Sequence, residues 1–262
     1  MKKIAVLASA FAWVFLVLST PGFAEIRFGV AAESYPPFTY KDKTGNWAGW
    51  EVDFMKAVCV KLNETCSIVD VAWEGMVPAL NAGKFDVILA SMAITEKRRA
   101  VIDFSDVYYK SAPQMVAAKG AVPFKTSADI SGKRVGVQGS SIHAAYAEKY
   151  FAPAGAAIKT YAKQDEVFAD LAAGRLDYAM ADALALDAFL ETDSGACCSV
   201  AGAVAFDADV FGPGVGLGLR KQDSALKERL NTAIKTVSQN GDLAAITQNW
   251  HLTGKIITAG TQ

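Results

Sequence analysis

A chain of 262 residues is too long for one small module and suits a leader followed by two compact lobes of roughly 100 to 150 residues each. With 52% hydrophobic residues, 20% charged residues and 8 prolines it can bury a sizeable core, which excludes a disordered chain. A formal net charge of −1 without a basic run argues against nucleic acid or an anionic membrane as the main partner.

Residues 1–24 open with Lys2 and Lys3, continue through an apolar run from Ile4 to Leu18 and close on the small-x-small triplet Gly22-Phe23-Ala24. This is the three-part pattern of a secretory signal peptide, with cleavage expected before Glu25. The apolar run is shorter than the roughly 20 residues a spanning helix requires. No cysteine stands near the cleavage point to take a lipid, so the mature protein is expected to be exported and soluble.

Strands are expected at 26–31, 68–71 and 86–90, and helices at 50–63 and 76–82, with a Pro36-Pro37 loop after the first strand. The same grammar restarts with a strand at 134–137, a Gly139-Ser140-Ser141 turn, a helix to Tyr150, a helix at 167–172 and a strand at 177–181. Strands alternating with helices imply α/β lobes with largely parallel sheets. An internal echo supports two related lobes: residues 80–91, LNAGKFDVILAS, align with 171–182, LAAGRLDYAMAD. Each copy is a helix end, a glycine turn and a strand. Ser91 and Asp182 would then occupy equivalent strand ends, where open α/β sheets place their ligands.

Export changes how the four cysteines are read, because thiols in oxidising compartments tend to pair. On a continuous helix Cys59 and Cys66 would lie roughly 10 Å apart along the axis, beyond disulfide reach. A bridge therefore requires the helix to end between them, and Asn63 is the candidate terminator. Cys197 and Cys198 are adjacent and have no other evident partner. His143 and His251 are isolated and show no metal-ligand spacing, so no metal is expected.

Thr95 is a candidate N-cap for a helix beginning Glu96-Lys97-Arg98-Arg99. Arginines there oppose the helix dipole, and a bound carboxylate, which matches the guanidinium fork, would hold one of them. A solvated surface position accounts well for Arg99 and is the alternative for Arg98. Ser140 and Ser141 stand at a strand-to-helix turn that presents N–H groups and hydroxyls to an anion. Asp182 ends an apolar strand, where a carboxylate is costly without a cation, although it could instead cap the following helix. Arg98, Ser141 and Asp182 together supply what a zwitterion needs. Tyr35 and Trp73 follow strands and are placed to sandwich a side chain, and Glu33 adds an acid beside them.

These residues resemble a family: the periplasmic substrate-binding proteins of polar amino-acid ABC importers, nearest the lysine-arginine-ornithine and histidine binders. The resemblance runs from about Ile26 to Trp250. It is carried by YPPF at 35–38, GWEVD at 49–53, the Cys59 and Cys66 spacing, WEGMVPAL at 73–80, SMAITEKR at 91–98, GVQGSS at 136–141 and GRLD at 174–177 ahead of Asp182. It implies two α/β lobes joined by two crossing strands that act as a hinge. Lobe one would span 25–110 and the C-terminal return 215–262, with lobe two at 111–214.

Carried over by position, Arg98 with the Ser91 and Ser141 backbone would hold the ligand carboxylate, Asp182 the α-ammonium, and Tyr35 and Trp73 the side chain. Glu33, Ala90, Met92, Ala93, Ser140 and Ile142 complete the implied site, and Cys59 and Cys66 the implied disulfide. The resemblance further implies no cofactor, a monomer, an amino acid or derivative as ligand and a membrane permease as partner. Three departures bear on the ligand: Ala90 and Ala93 replace serines, Ile142 replaces a glutamine, and Glu33 sits one residue nearer Tyr35 than the corresponding acid. An enzyme on the same scaffold, such as a cyclic-acid dehydratase, would need a positioned acid or base, for which His143 and Glu51 are the candidates. A sensor module is the third reading.

Overall fold

The strand Ile26–Ala31 buries every residue except Arg27, the pattern of a strand covered on both faces. In the computed structural model, which describes residues 25–259, it is flanked in parallel by Cys66–Val71 and Val87–Ile88. The leader therefore lies outside the described residues. Val215–Leu219 and Asp103–Lys110 extend this first sheet antiparallel, and Ile257–Thr258 closes its edge, six strands in all. The second sheet has five strands, with Ala157–Tyr161, Arg134–Gln138 and Tyr178–Asp182 parallel and Pro113–Ala118 and Cys198–Ala203 antiparallel. The expectation of largely parallel sheets thus holds only for the half of each sheet built by strand-helix-strand units. Apart from the edge strand Ile257–Thr258, the antiparallel strands flank the segments that connect the lobes and are not joined by crossover helices.

The chain leaves the first sheet at Lys110, enters the second at Pro113, and returns between Ala203 and Val215. Each sheet has its own apolar core, one around Phe28, Trp50 and Leu217 and the other around Val135, Phe151 and Met180.

The internal echo is structural. In the first lobe Arg27 holds Asp86 through Nε at 3.0 Å and Nη2 at 3.0 Å, and its Nη2 also donates to the Gly83 carbonyl at 3.1 Å. In the second lobe Arg134 holds Asp177 through Nε at 3.1 Å and Nη2 at 2.9 Å, and its Nη2 donates to the Gly174 carbonyl at 3.1 Å. Two residues beyond each arginine stands a glycine, Gly29 or Gly136. A Cβ there would come within 2.5 Å of the Phe85 ring or within 2.3 Å of the Leu176 side chain. The same fork and the same close approach fasten the glycine turn to the first strand of both lobes.

The first helix, Trp50–Leu62, ends as its sequence suggested, with Asn63 left-handed at φ 54° and its N–H directed to the Cys59 and Val60 carbonyls. That turn brings Cys66 back to a disulfide with Cys59, Cα to Cα 6.3 Å. A bridge closing so short a loop contributes about 2.5 kcal/mol in the chain-entropy model, so replacing both cysteines by serine should lower the unfolding free energy by that amount in denaturant titrations. Undiminished stability would contradict it. Cys197 and Cys198 are bridged to each other at a Cα separation of 3.7 Å.

Candidate functional site

A cavity between the lobes is bordered by the ends of strands from both sheets. From the first lobe come Glu33, Tyr35, Trp73, Ala90, Ser91, Ala93 and Arg98, and from the second Ser141, Ile142 and Asp182. Ten of the twelve expected site residues are thereby brought together. The other two fall elsewhere. Met92 is 2% exposed, packs in the first lobe's core with Ile94 and Phe104, and borders a neighbouring cavity with Ser140 and Ile142. Ser140 stands beside the cavity and contributes its carbonyl to Arg98.

Arg98 lies in a single helical turn, Glu96–Arg99, capped by the Thr95 hydroxyl. In so short a turn Arg98 belongs to the last residues as much as the first, so the dipole reasoning has no force here. What isolates Arg98 is its partner list. Nη1 donates to the Ala93 carbonyl at 2.8 Å and Nη2 to the Ser140 carbonyl at 3.1 Å, and among the described residues no carboxylate pairs with it. Its guanidinium lies 5.4 Å from the Trp73 ring centre, a cation over an aromatic face. Burial alone pulls its pKa down to about 10, which leaves it charged at neutral pH. Arg99, by contrast, faces Asp103 at 3.9 Å.

Asp182 stands opposite. Its carboxylate accepts from the Tyr35 hydroxyl at 2.7 Å and lies 3.8 Å from His143 Nε2. It makes no capping hydrogen bond to the helix Ala183–Leu190 that follows, which removes the capping alternative. His143 is buried, its Nε2 has no hydrogen-bond partner among the described residues, and burial lowers its pKa, favouring the neutral imidazole. Trp73 donates its indole N–H to the Gly139 carbonyl at 3.0 Å. Tyr35 to Asp182, Trp73 to Gly139 and Arg98 to Ser140 all cross from one lobe to the other, so this conformation is closed.

Two expected donors are already engaged. The Ser91 N–H lies 2.9 Å from Glu51 Oε1 and its hydroxyl 3.0 Å from Oε2, with the Ser91 backbone left-handed at φ 49°. The Ser141 hydroxyl donates to the Gln138 carbonyl at 2.6 Å and caps the helix Ile142–Tyr146 by accepting from the Ala144 N–H at 3.0 Å. What remains for an anion at this turn is the backbone N–H row of its first residues. Glu33 lines the cavity and accepts from the Trp73 N–H at 3.1 Å.

Glu51 is a support behind the cavity. It is fully buried, accepts from Ser91 and the Tyr108 hydroxyl, and burial raises its pKa to about 7 against the hydrogen bonds that lower it. A carboxyl whose folded pKa exceeds its unfolded one gives most stability when protonated. Its contribution therefore declines as pH rises from about 4.5 to about 7, by on the order of 3 kcal/mol. Glu51→Gln should remove this decline, so the variant's unfolding free energy relative to the unaltered protein should rise between pH 4.5 and 7.5. A constant difference across that range would contradict it.

Sequence reasoning missed Gln138 and Gln164 in the cavity wall and passed over His143 as a binding group. Gln138 ends one strand of the second sheet and Gln164 follows the end of another, at Tyr161. The strand-end rule that selected Asp182 would have selected both.

With this geometry in place, comparison with known proteins decides the family. The model of the bacterial extracellular solute-binding proteins, family 3, matches residues 26–253. The chain belongs to that family. An L-arginine-binding protein of Pseudomonas aeruginosa is 40% identical over 92% of this chain and 93% of its own length. The lysine/arginine/ornithine-binding periplasmic protein of Escherichia coli strain K12 is 37% identical over 82% of this chain and 83% of its own length. Among solved structures, an ancestral arginine-binding protein bound to arginine matches with TM-score 0.80, at 31% identity, over 86% of this chain and 97% of its own. The ancestral amino acid-binding protein AncCDT-1, described as a precursor of cyclohexadienyl dehydratase, matches with TM-score 0.76 at 28% identity, covering 86% of this chain and 95% of its own. The two-lobed α/β fold read from the sequence is that of these family 3 relatives.

Proposed function

We propose that this family 3 protein captures an α-amino acid with a cationic side chain between its lobes and delivers it to the permease of an ABC importer. The observation that carries the reading is the pair Arg98 and Asp182: a cation without a carboxylate and a carboxylate without a cation face one cavity from opposite lobes. In this reading Arg98 and the N–H groups at Ser141 and Ile142 take the α-carboxylate, and Asp182 takes the α-ammonium. Tyr35 and Trp73 flank the side chain, Ala90 and Ala93 leave it room, and Glu33 attracts its positive end. The arginine binders among the relatives support the same ligand class.

The lobes would divide at 25–110, 111–214 and 215–262, with the two connecting strands as hinge. Residues 1–24 would be removed on export to the periplasm, and the protein would act there as a monomer without cofactor. The rival reading as an enzyme has less support. Glu51 is walled off behind Ser91, and His143, neutral and beside a carboxylate, also fits a binding wall.

Isothermal titration of the chain beginning at Glu25 with L-arginine, L-lysine, L-histidine, L-glutamine and L-leucine tests the reading. One-to-one binding of one or more cationic amino acids, with little or none of leucine, is expected. Absence of heat with all five would contradict it.

A further inference from the structure

Gln164 is 2% exposed and borders the cavity, yet among the described residues its amide nitrogen has no hydrogen-bond partner. Buried polar side chains are nearly always paired, so an unpaired amide in the wall of a ligand cavity indicates that its partner comes from outside the chain. Its position is fixed by local structure. Gln164 opens the helix Gln164–Ala172, and the segment before it is fastened to the cavity wall by Gln138 Nε2, which donates to the Ala162 carbonyl at 3.3 Å. Glu33 of the first lobe borders the same cavity.

We infer that Gln164 is a specificity-determining contact that hydrogen-bonds the polar end of the ligand's side chain, opposite Glu33. The inference rests on the proposed amino-acid site and adds a second-lobe reader for the side chain. An amide offers both a donor and an acceptor, so it accommodates guanidinium, ureido or amide ends and penalises an apolar one, which leaves it unpaired. Because Gln164 sits in the second lobe and Glu33 in the first, a side chain reaching both would also favour closure.

The test compares L-arginine with L-norleucine, which shares the α-groups and lacks a polar end, on the unaltered chain and on Gln164→Leu. Calorimetry, or competition where binding is weak, should show arginine affinity lowered tenfold or more in the variant and norleucine affinity unchanged or raised. Gln164→Glu should retain or tighten arginine binding. Equal losses for both ligands would overturn the inference, since Gln164 would then act on the α-groups or the fold. Unchanged affinities would overturn it as well. Thermal unfolding of the ligand-free variants checks folding, and Gln164→Met carries the same comparison if the leucine variant does not fold. If the unaltered chain binds no amino acid, the reading of the site itself fails and the inference with it.

Discussion

Arg98→Ala should weaken amino-acid binding by on the order of a hundredfold or more, whereas Arg99→Ala should leave it nearly unchanged. The two arginines are neighbours in one helical turn and differ in what they face. Arg99 has Asp103, and its ion pair is half exposed, a kind of pair that contributes little. Arg98 has only carbonyl oxygens and a tryptophan face, so its charge is hydrogen-bonded without being neutralised. A ligand carboxylate would complete it. Truncating one partner of a desolvated charge pair costs roughly 2 to 5 kcal/mol, which sets the size of the expected loss. Arg98→Lys should recover only part of it, because an ammonium cannot bond two carbonyls and a carboxylate in the same fixed fork. Calorimetry showing equal losses for the Arg98 and Arg99 variants would contradict the assignment.

Asp182→Asn should reduce affinity by roughly ten- to a hundredfold while the ligand-free protein stays folded, since the amide oxygen can still accept from Tyr35. The effect belongs to one functional group of the ligand, which makes it separable. L-arginine should lose affinity for the variant, and the analogue of arginine lacking the α-amino group should bind both proteins alike. If the analogue loses as much as arginine, Asp182 supports the fold of the cleft and does not receive the ammonium.

Much of this molecule was legible in the sequence wherever the signal was local. Asn63 ends its helix because it tolerates a left-handed backbone, and that one residue decides that Cys59 and Cys66 meet. The echo between 80–91 and 171–182 was legible too, but only half of it was read. Arg27 and Arg134, each two residues before a glycine, are its other half, and they become visible only once Asp86 and Asp177 are known to need partners.

The antiparallel strands were not legible, because their pairing joins segments far apart in the chain, as between Asp103–Lys110 and Val215–Leu219 or between Pro113–Ala118 and Tyr178–Asp182. Nor was the engagement of Ser91 by Glu51. A glutamate in the first turn of a helix reads as an exposed residue favourable to the dipole, and only the fold, which brings Ser91 and Tyr108 to it, turns it into a buried acceptor. Arg98 was chosen by a dipole argument that the one-turn helix does not sustain. Its lack of a carboxylate, a property of the folded protein, is the better reason.

The central claim is that one zwitterion draws two lobes together, and the conformation described here carries its closing bonds between Tyr35 and Asp182, Trp73 and Gly139, and Arg98 and Ser140. A ligand that touches both lobes binds the closed state better than the open one, and only such differential affinity can shift a hinge equilibrium. Small-angle X-ray scattering of the chain beginning at Glu25, with and without saturating L-arginine, measures this directly. The account predicts a smaller radius of gyration with the ligand, and a smaller change in the Asp182→Asn variant at the same ligand concentration. Equal radii in the unaltered protein, under conditions where calorimetry records binding, would contradict it.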